Sequence, residues 1–516
     1  MNTRQRSFRT AAVLLLTAAS LAYGQASADG MAGFKMPEVK EPSIPARTAR
    51  IVEFGAVADG KTLCTEAIAK GIDALAAAGG GRLVVPAGVW LTGPIVLKSN
   101  IELCVEEGAL VQFTRDTTQF KGRALISGEN LENVAITGTG IFDGAGEAWR
   151  PVKHYKMTEP QWKALVASGG RVDPQQDTWY PFTQNALRRP NMMILRGCRR
   201  VLLEGATFQN SPAWNINPSF CDDVTIRRLS IRNPWYSQNG DGLDLDSCRN
   251  VVIRGTRLDV GDDALCMKSG AGAEARQNGR PTENVLIEDC TVYHGHGGFT
   301  IGSEMSGGVR NIRVNNCVFI GTDIGLRFKT QRGRGGVVEK IYVSNIRMTN
   351  ISTDAISFNM YYGGAGPTEE ASSAGEIAAA PVGADTPQFR DIYIEDVVCR
   401  GARRAMQLQG LPEMPLAGIH LRRVSIMAEQ GLVCQDANDI TLSGVEITSG
   451  KGPVASFIGS TNIAIDHLSY AAGAETLFAL QGKHNAGIVV SGTDASQAEH
   501  AVRVSDGATS TALQIK

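Results

Sequence analysis

Carboxylates gather in one short stretch of this sequence. Asn239-Gly240-Asp241-Gly242-Leu243-Asp244-Leu245-Asp246 puts Asp241, Asp244 and Asp246 on one face if the segment is extended. Gly261-Asp262-Asp263 follows, with Asp262 lying 21 residues after Asp241. If that interval is one turn of a coil of strands, Asp241 comes beside the Asp262-Asp263 pair on strands about 4.8 Å apart. Crowded carboxylates repel, so one retains a proton near neutrality while another stays ionised. Glycoside hydrolysis needs such a division: an acid for the leaving oxygen and a carboxylate for water or the anomeric carbon. Solvated turn acids and a calcium site are the competing readings of the acids alone. The next segments favour chemistry. His294-Gly295-His296-Gly297-Gly298 brings imidazoles where glycines permit close approach, and Gly325-Leu326-Arg327-Phe328-Lys329 sets two cations on one strand face. Arg327 and Lys329 repel unless solvent or an anion lies between them. The expected substrate is therefore an acidic sugar, with its carboxylate held by both.

A repeat positions these groups. Short alternating strands begin after Asn, Asp, Gly or a basic residue at Asn133, Arg200, Asp223, Asn250, Asn284, Asn311, Lys340, Asp391, Gly418, Asp439 and Asn462. From Arg200 onward the first five intervals are 23, 27, 34, 27 and 29 residues. A period in the twenties with two-residue alternation predicts a parallel β-solenoid: alternate apolar side chains face inward, and the turn residue takes a left-handed backbone. A β-sandwich is the alternative fold; helical repeats conflict with the alternation. Thr65–Ala78 reads as a helix with Ile68, Ile72 and Leu75 on one face, ended by Gly79-Gly80-Gly81, and is expected to cap the open N-terminal end. A second helix is predicted over Glu159–Ala167, with Thr158 and Gln161 as a capping box and Trp162, Leu165 and Val166 as its apolar face. It lies in an insertion spanning 147–189. Another insertion, 363–387, is rich in Ala, Gly, Ser and Glu and is expected to be a mobile loop.

The four motifs, in this order, resemble those of the polygalacturonases, glycoside hydrolase family 28. The family's Asn-Thr-Asp corresponds to Asn239-Gly240-Asp241, its Asp-Asp to Asp262-Asp263, its Gly-His-Gly to Gly295-His296-Gly297 and its Arg-Ile-Lys to Arg327-Phe328-Lys329. The likeness extends over roughly residues 50–480, including Phe54-Gly55-Ala56 and Val85-Pro86-Ala87-Gly88. It implies an all-β, right-handed parallel β-helix and an inverting hydrolysis of α-1,4-galacturonosyl linkages. Asp262 would be the general acid, Asp241 and Asp263 would activate water, and His296 would tune the acid cluster. Asn239, Lys268, Arg327, Lys329 and Tyr361 or Tyr362 would contact the sugar. Polygalacturonate or pectin-derived oligosaccharides are the expected partners, and neither metal nor cofactor is expected. Three departures stand out: Gly240 for Thr, Phe328 for Ile, and Asn217 where relatives often show His. The rival activities are hydrolysis of rhamnogalacturonan or another decorated pectin, calcium-dependent lyase chemistry, and glycan binding without catalysis. If either insertion covers one end of the groove, the enzyme would attack chain termini from the non-reducing end. Trp149, Arg150, Lys153 and Lys156 fall near the start of the first insertion.

Composition fits this reading. The 516 residues are 43% hydrophobic with a formal net charge of -1, which gives no electrostatic case for nucleic acid or anionic membrane. The 58 glycines, about 11%, exceed the roughly 7% average and suit many tight turns. Residues 1–28 read as a signal peptide: Arg4, Arg6 and Arg9, then Ala11–Ala22, then Ala26-Ser27-Ala28. Twelve residues make only about 18 Å of helix, too short for a bilayer core of roughly 30 Å. An exported, periplasmic or extracellular monomer without a membrane anchor is expected. A linker should cover 29–48 and one catalytic domain 49–516. The ten cysteines are widely spaced and are read as buried, apolar core residues.

Overall fold

All eleven repeated turn residues adopt the left-handed backbone, with φ between 52° and 60°. Asn and Asp tolerate that conformation, and Gly418 needs no side chain to do so. Arg200 and Lys340 are the unusual occupants. The asparagines also bond to one another along the stack. Asn133 donates to Asn100 at 2.8 Å, Asn284 to Asn250 at 3.0 Å, and Asn311 to Asn284 at 2.7 Å. Arg200 joins the ladder by donating Nε to Asn133 at 2.7 Å, which helps offset its backbone strain.

Between these corners the chain forms a right-handed parallel β-helix, described here from a computed structural model for residues 33–182, 188–363 and 378–516. Three parallel sheets wrap one apolar column. The first carries the strands Asn191–Arg196, Ile216–Ser219, Leu243–Asp246, Asp263–Lys268, Gly297–Ile301 and Ile324–Lys329. Their register sets Leu243 against Leu265, Leu265 against Phe299, and Phe299 against Leu326, all fully buried. Outward positions alternate with these and carry Asp244, Thr300 and Arg327 in one row. Phe328 stacks on Phe358 with centroids 4.1 Å apart, so the departure from Ile enlarges the core stack and leaves the outward cations in place.

The N-terminal helix spans Thr65–Ala77 and buries Ala67, Ile68, Gly71, Ile72 and Leu75 against the first coil. Covering that end keeps the apolar column dry. The ten cysteines are free thiols, nine of them buried, as expected of core residues. The linker expectation is corrected for residues 33–45, which lie along the outside of the stack. The Phe34 ring meets Tyr342 edge-on at 6.0 Å, Lys35 accepts from Asn311, Glu41 pairs with Arg227, and the Ser43 N–H reaches Asn133. The signal-peptide segment 1–28 and residues 364–377 of the second insertion lie outside the described residues. No helix among the described residues is long and apolar enough to cross a membrane.

The first insertion is a folded module. Its helix, Glu159–Ala167, has the Thr158–Gln161 capping box. Three short antiparallel strands, Val152–Lys153, Arg171–Asp173 and Thr178–Tyr180, complete it. Val152, Trp162 and Trp179 form a separate small core, and Tyr236 from the main body packs on it. Leu165 shares that core, but Val166 is 40% exposed and does not belong to the apolar face. Arg150 pins the base of the module: it is buried and donates to the Ser211 carbonyl at 2.8 Å and to Asn210 at 2.7 Å.

Candidate active site

Asp241, Asp262 and Asp263 converge as the register requires, with one oxygen from each lying within 4.8 Å of the other two. Asp263 opens the strand Asp263–Lys268, Asp262 precedes it, and Asp241 comes from the neighbouring coil. The strand bearing Asp244 and Asp246 starts only at Leu243. Asp241 is therefore three residues from Asp244, not two, and reaches the same side through the turn at Gly242. Gly240 is demanded locally: a Cβ there would stand 2.0 Å from Ser237 Oγ. A threonine at this position would force Ser237 aside.

The two cations do not face each other across solvent. Arg327 Nη1 donates to Asp263 Oδ1 at 2.9 Å, and Lys329 Nζ donates to Oδ2 at 2.7 Å. Thr300 Oγ1 adds a third bond at 3.2 Å. The anion separating the cations is thus a side chain of the protein itself. Gly297 makes this possible, because a Cβ there would stand 3.2 Å from Arg327 Cδ and from Asp263 Oδ1. Burial works to raise the Asp263 pKa, but Lys329 and Arg327 overcome it and hold the carboxyl far below its ordinary value. Asp263 is ionised at any working pH.

A second ion group lies beneath. Lys268 Nζ is 2.9 Å from Asp244 and 3.6 Å from Asp241, and 3.4 Å above the centre of the Trp214 ring. It is only 4% exposed. The expectation of direct sugar contact through Lys268 is therefore revised, since its charge is taken up by two buried acids. Burial raises the Asp244 pKa to about 6 against the pull of Lys268. Burial and the Asp244 charge push Asp241 well above its ordinary value. Asp241 Oδ1 has no hydrogen-bond partner among the described residues, so a proton resting there avoids a second uncompensated buried charge.

Asp262 is the member of the trio that faces the cleft, with 18% of its side chain exposed. Burial is the largest influence and opposes ionisation, but the hydrogen bond from His296 Nδ1, at 3.2 Å, together with the fields of His296 and Lys329, leaves Asp262 below its ordinary pKa. His296 Nε2 looks toward Asp323 at 3.7 Å. His294 instead pairs with Asp259 at the surface and takes no part. Asn239 contributes through its backbone: its N–H donates to Asp262 Oδ2 at 3.2 Å. Its side chain accepts from Arg189 Nη2 at 2.7 Å. Tyr361 is buried beside Arg332, whereas the Tyr362 ring lies 4.6 Å from Lys329 Nζ and 5.6 Å from the Arg327 guanidinium carbon. Of the two tyrosines, Tyr362 borders the cation pair. Asn217 is also internal and donates to the Asp244 carbonyl at 2.9 Å.

The chain matches the model of glycosyl hydrolases family 28 over residues 153–382. A probable polygalacturonase of Vitis vinifera is 31% identical over 407 residues, covering 74% of this chain and 75% of that protein. The chain belongs to glycosyl hydrolase family 28. Another relative in the family, the exo-poly-alpha-D-galacturonosidase of Dickeya chrysanthemi, is 26% identical over 461 residues, 79% of this chain and 72% of that one. Among solved structures, an exopolygalacturonase from Thermotoga maritima shares 32% identity with a TM-score of 0.64, over 83% of this chain and 94% of that chain. Family 28 membership fits a site in which carboxylates, imidazole and cations come from successive coils. Arg189, Trp214, Thr300 and Asp323 were absent from the sequence reading. They reach the site across other coils, and no local motif marks them.

Proposed function

We propose that the protein hydrolyses α-1,4-galacturonosyl linkages of pectic galacturonan, acting from the non-reducing end. The observation that carries this reading is the three-acid cluster with two cations bound to one of its members. Asp262 meets the glycosidic oxygen and supplies the proton. In the free protein the exchangeable proton rests on Asp241, and a sugar seated over Asp262 removes its remaining water and draws the proton to it. Asp263 keeps its charge and orients the attacking water with Asp241. The oxygen separation of 4.8 Å or less falls below the roughly 6.5–9.5 Å usually linked to inversion. Inversion is nevertheless retained, on the family likeness and on one chemical ground. Both oxygens of Asp263 are hydrogen-bonded to cations, which weakens it as a nucleophile and leaves it to orient the water, while Asp241, ionised once its proton has passed to Asp262, takes the water's proton.

Lys268, Arg327 and Lys329 position acids first; of these, Arg327 keeps further N–H donors for a substrate carboxylate. Tyr362 replaces Tyr361 as the aromatic contact. Exo action is supported by the folded insertion, which carries Lys156 into the field of Asp262 and Asp323 and lines a cavity that reaches Gln238, next to Asn239. Export of the mature chain follows from the N-terminal sequence and from a polymeric substrate that does not enter cells. The test follows viscosity and reducing ends together on homogalacturonan after exhaustive chelation. Slow viscosity loss with saturated products supports the proposal, whereas early viscosity collapse rejects exo action. Unsaturated ends that depend on added calcium would establish a lyase instead.

A further inference from the structure

A cavity of about 410 Å³ lies between the insertion and the loop that carries Asn239. Its size falls within the roughly 300–1,000 Å³ of small-ligand pockets. Trp149, Tyr180 and Phe182 line it with rings, and Lys153, Arg189 and Gln238 supply polar groups. Two features show what it would bind. First, its cations form no salt bridge among the described residues, and Arg189 feels Asp241 and Asp262 only as a field. Arg189 donates to the carbonyls of Pro212 and Gln238 at 3.1 and 2.6 Å and to the Asn239 amide, none of which is charged. Lys153 has no carboxylate partner among the described residues. By contrast, Arg327, Lys329 and Lys268 are already bound to Asp263, Asp244 and Asp241. Secondly, the cavity adjoins the acids: Gln238 lines it, and the next residue, Asn239, holds Asp262 by its backbone.

We propose that this cavity is an additional uronate subsite, in which Lys153 and Arg189 bind the carboxylate of the sugar on the non-reducing side of the one attacked at Asp262. The assignment rests on the galacturonan reading. A uronate offers what the walls ask for: an anion for the two cations, and a C–H face for the aromatic rings. It also separates tasks. The cations of the catalytic centre keep Asp263 ionised, while those of the insertion select for acidic polymer.

Steady-state hydrolysis of digalacturonate and trigalacturonate by the wild type and by Lys153→Gln tests this. Only the trimer fills the cavity with its non-reducing-end sugar while its second linkage is cut, because the two sugars of the dimer flank the bond that breaks. The kcat/KM ratio of trimer to dimer should fall at least about tenfold in Lys153→Gln, the loss expected of one charge-assisted hydrogen bond. Tyr180→Ala should lower the same ratio without making it less sensitive to salt. An unchanged ratio, or an equal loss on both substrates, would overturn the subsite. The terminal-attack reading is judged separately, from the fragments released from hexagalacturonate. Random internal cleavage with the ratio still depressed would remove exo action and leave the subsite standing.

Discussion

At the scale of single residues, the site works by separating carboxylates of the same type. Asp263 is held ionised by two cations, burial and the Asp244 charge push Asp241 toward its protonated form, and Asp262 keeps access to the cleft. Replacing Asp262 by Asn preserves the volume and removes the transferable proton. Turnover of Asp262→Asn should drop at least about 10²-fold, the low end for losing general-acid catalysis, while its melting curve stays that of a folded protein. Near wild-type turnover in a folded variant would move the acid role to Asp241. Arg327 and Lys329 show why residue type alone misleads. Two cations at alternate positions suggest an anionic ligand, yet the anion they hold first belongs to the chain.

At the scale of elements, the coils are tied by more than apolar stacking. Asn284 sits at φ 56°, accepts from Asn311 and donates to Asn250. Its two roles can be separated by substitution. Asn284→Gly keeps the left-handed corner and loses both side-chain hydrogen bonds, which should cost about 1–3 kcal/mol. Asn284→Ala adds the strain of a left-handed Cβ, a further cost of about 1–2 kcal/mol. Equal denaturant midpoints for the two variants would show that the corner tolerates alanine and that the ladder alone matters. The insertion is an element of another kind. Its own core of Val152, Trp162 and Trp179 holds Lys156 in the field of Asp262 and Asp323 and Lys153 on the cavity wall.

At the scale of the whole molecule, the solenoid is closed at its N-terminal end by the helix Thr65–Ala77 and braced along its flank by residues 33–45. That segment touches coils carrying Asn133, Arg227, Asn311 and Tyr342, so it resists separation of distant repeats. In an array where each unit contacts only its neighbours, such a brace adds coupling that the stack lacks. A chain beginning at residue 47 should melt several degrees below one beginning at residue 29, with Tyr342 more exposed to solvent. Identical melting of the two chains would reduce the segment to a passive tail.

What the sequence by itself determined is what depends on local periodicity and on near neighbours. Alternation placed the strands, and the demand for a left-handed corner marked all eleven turn residues. The spacing of roughly one coil brought Asp241, Asp262, Asp263, His296, Arg327 and Lys329 onto one face. The helices Thr65–Ala77 and Glu159–Ala167 followed from apolar spacing and end signals, whereas the short helix Gly272–Asn278 did not. The tertiary structure decided everything that depends on side-chain reach across coils. It gave Asp263 to Arg327 and Lys329, buried Lys268 beneath the acids, exchanged Tyr361 for Tyr362, and brought Arg189 to Asn239 from 50 residues away. It also seated the insertion beside the cleft. Periodicity constrains the backbone of every coil alike, whereas these contacts depend on which side chains meet at one coil, and a one-dimensional repeat carries no record of that.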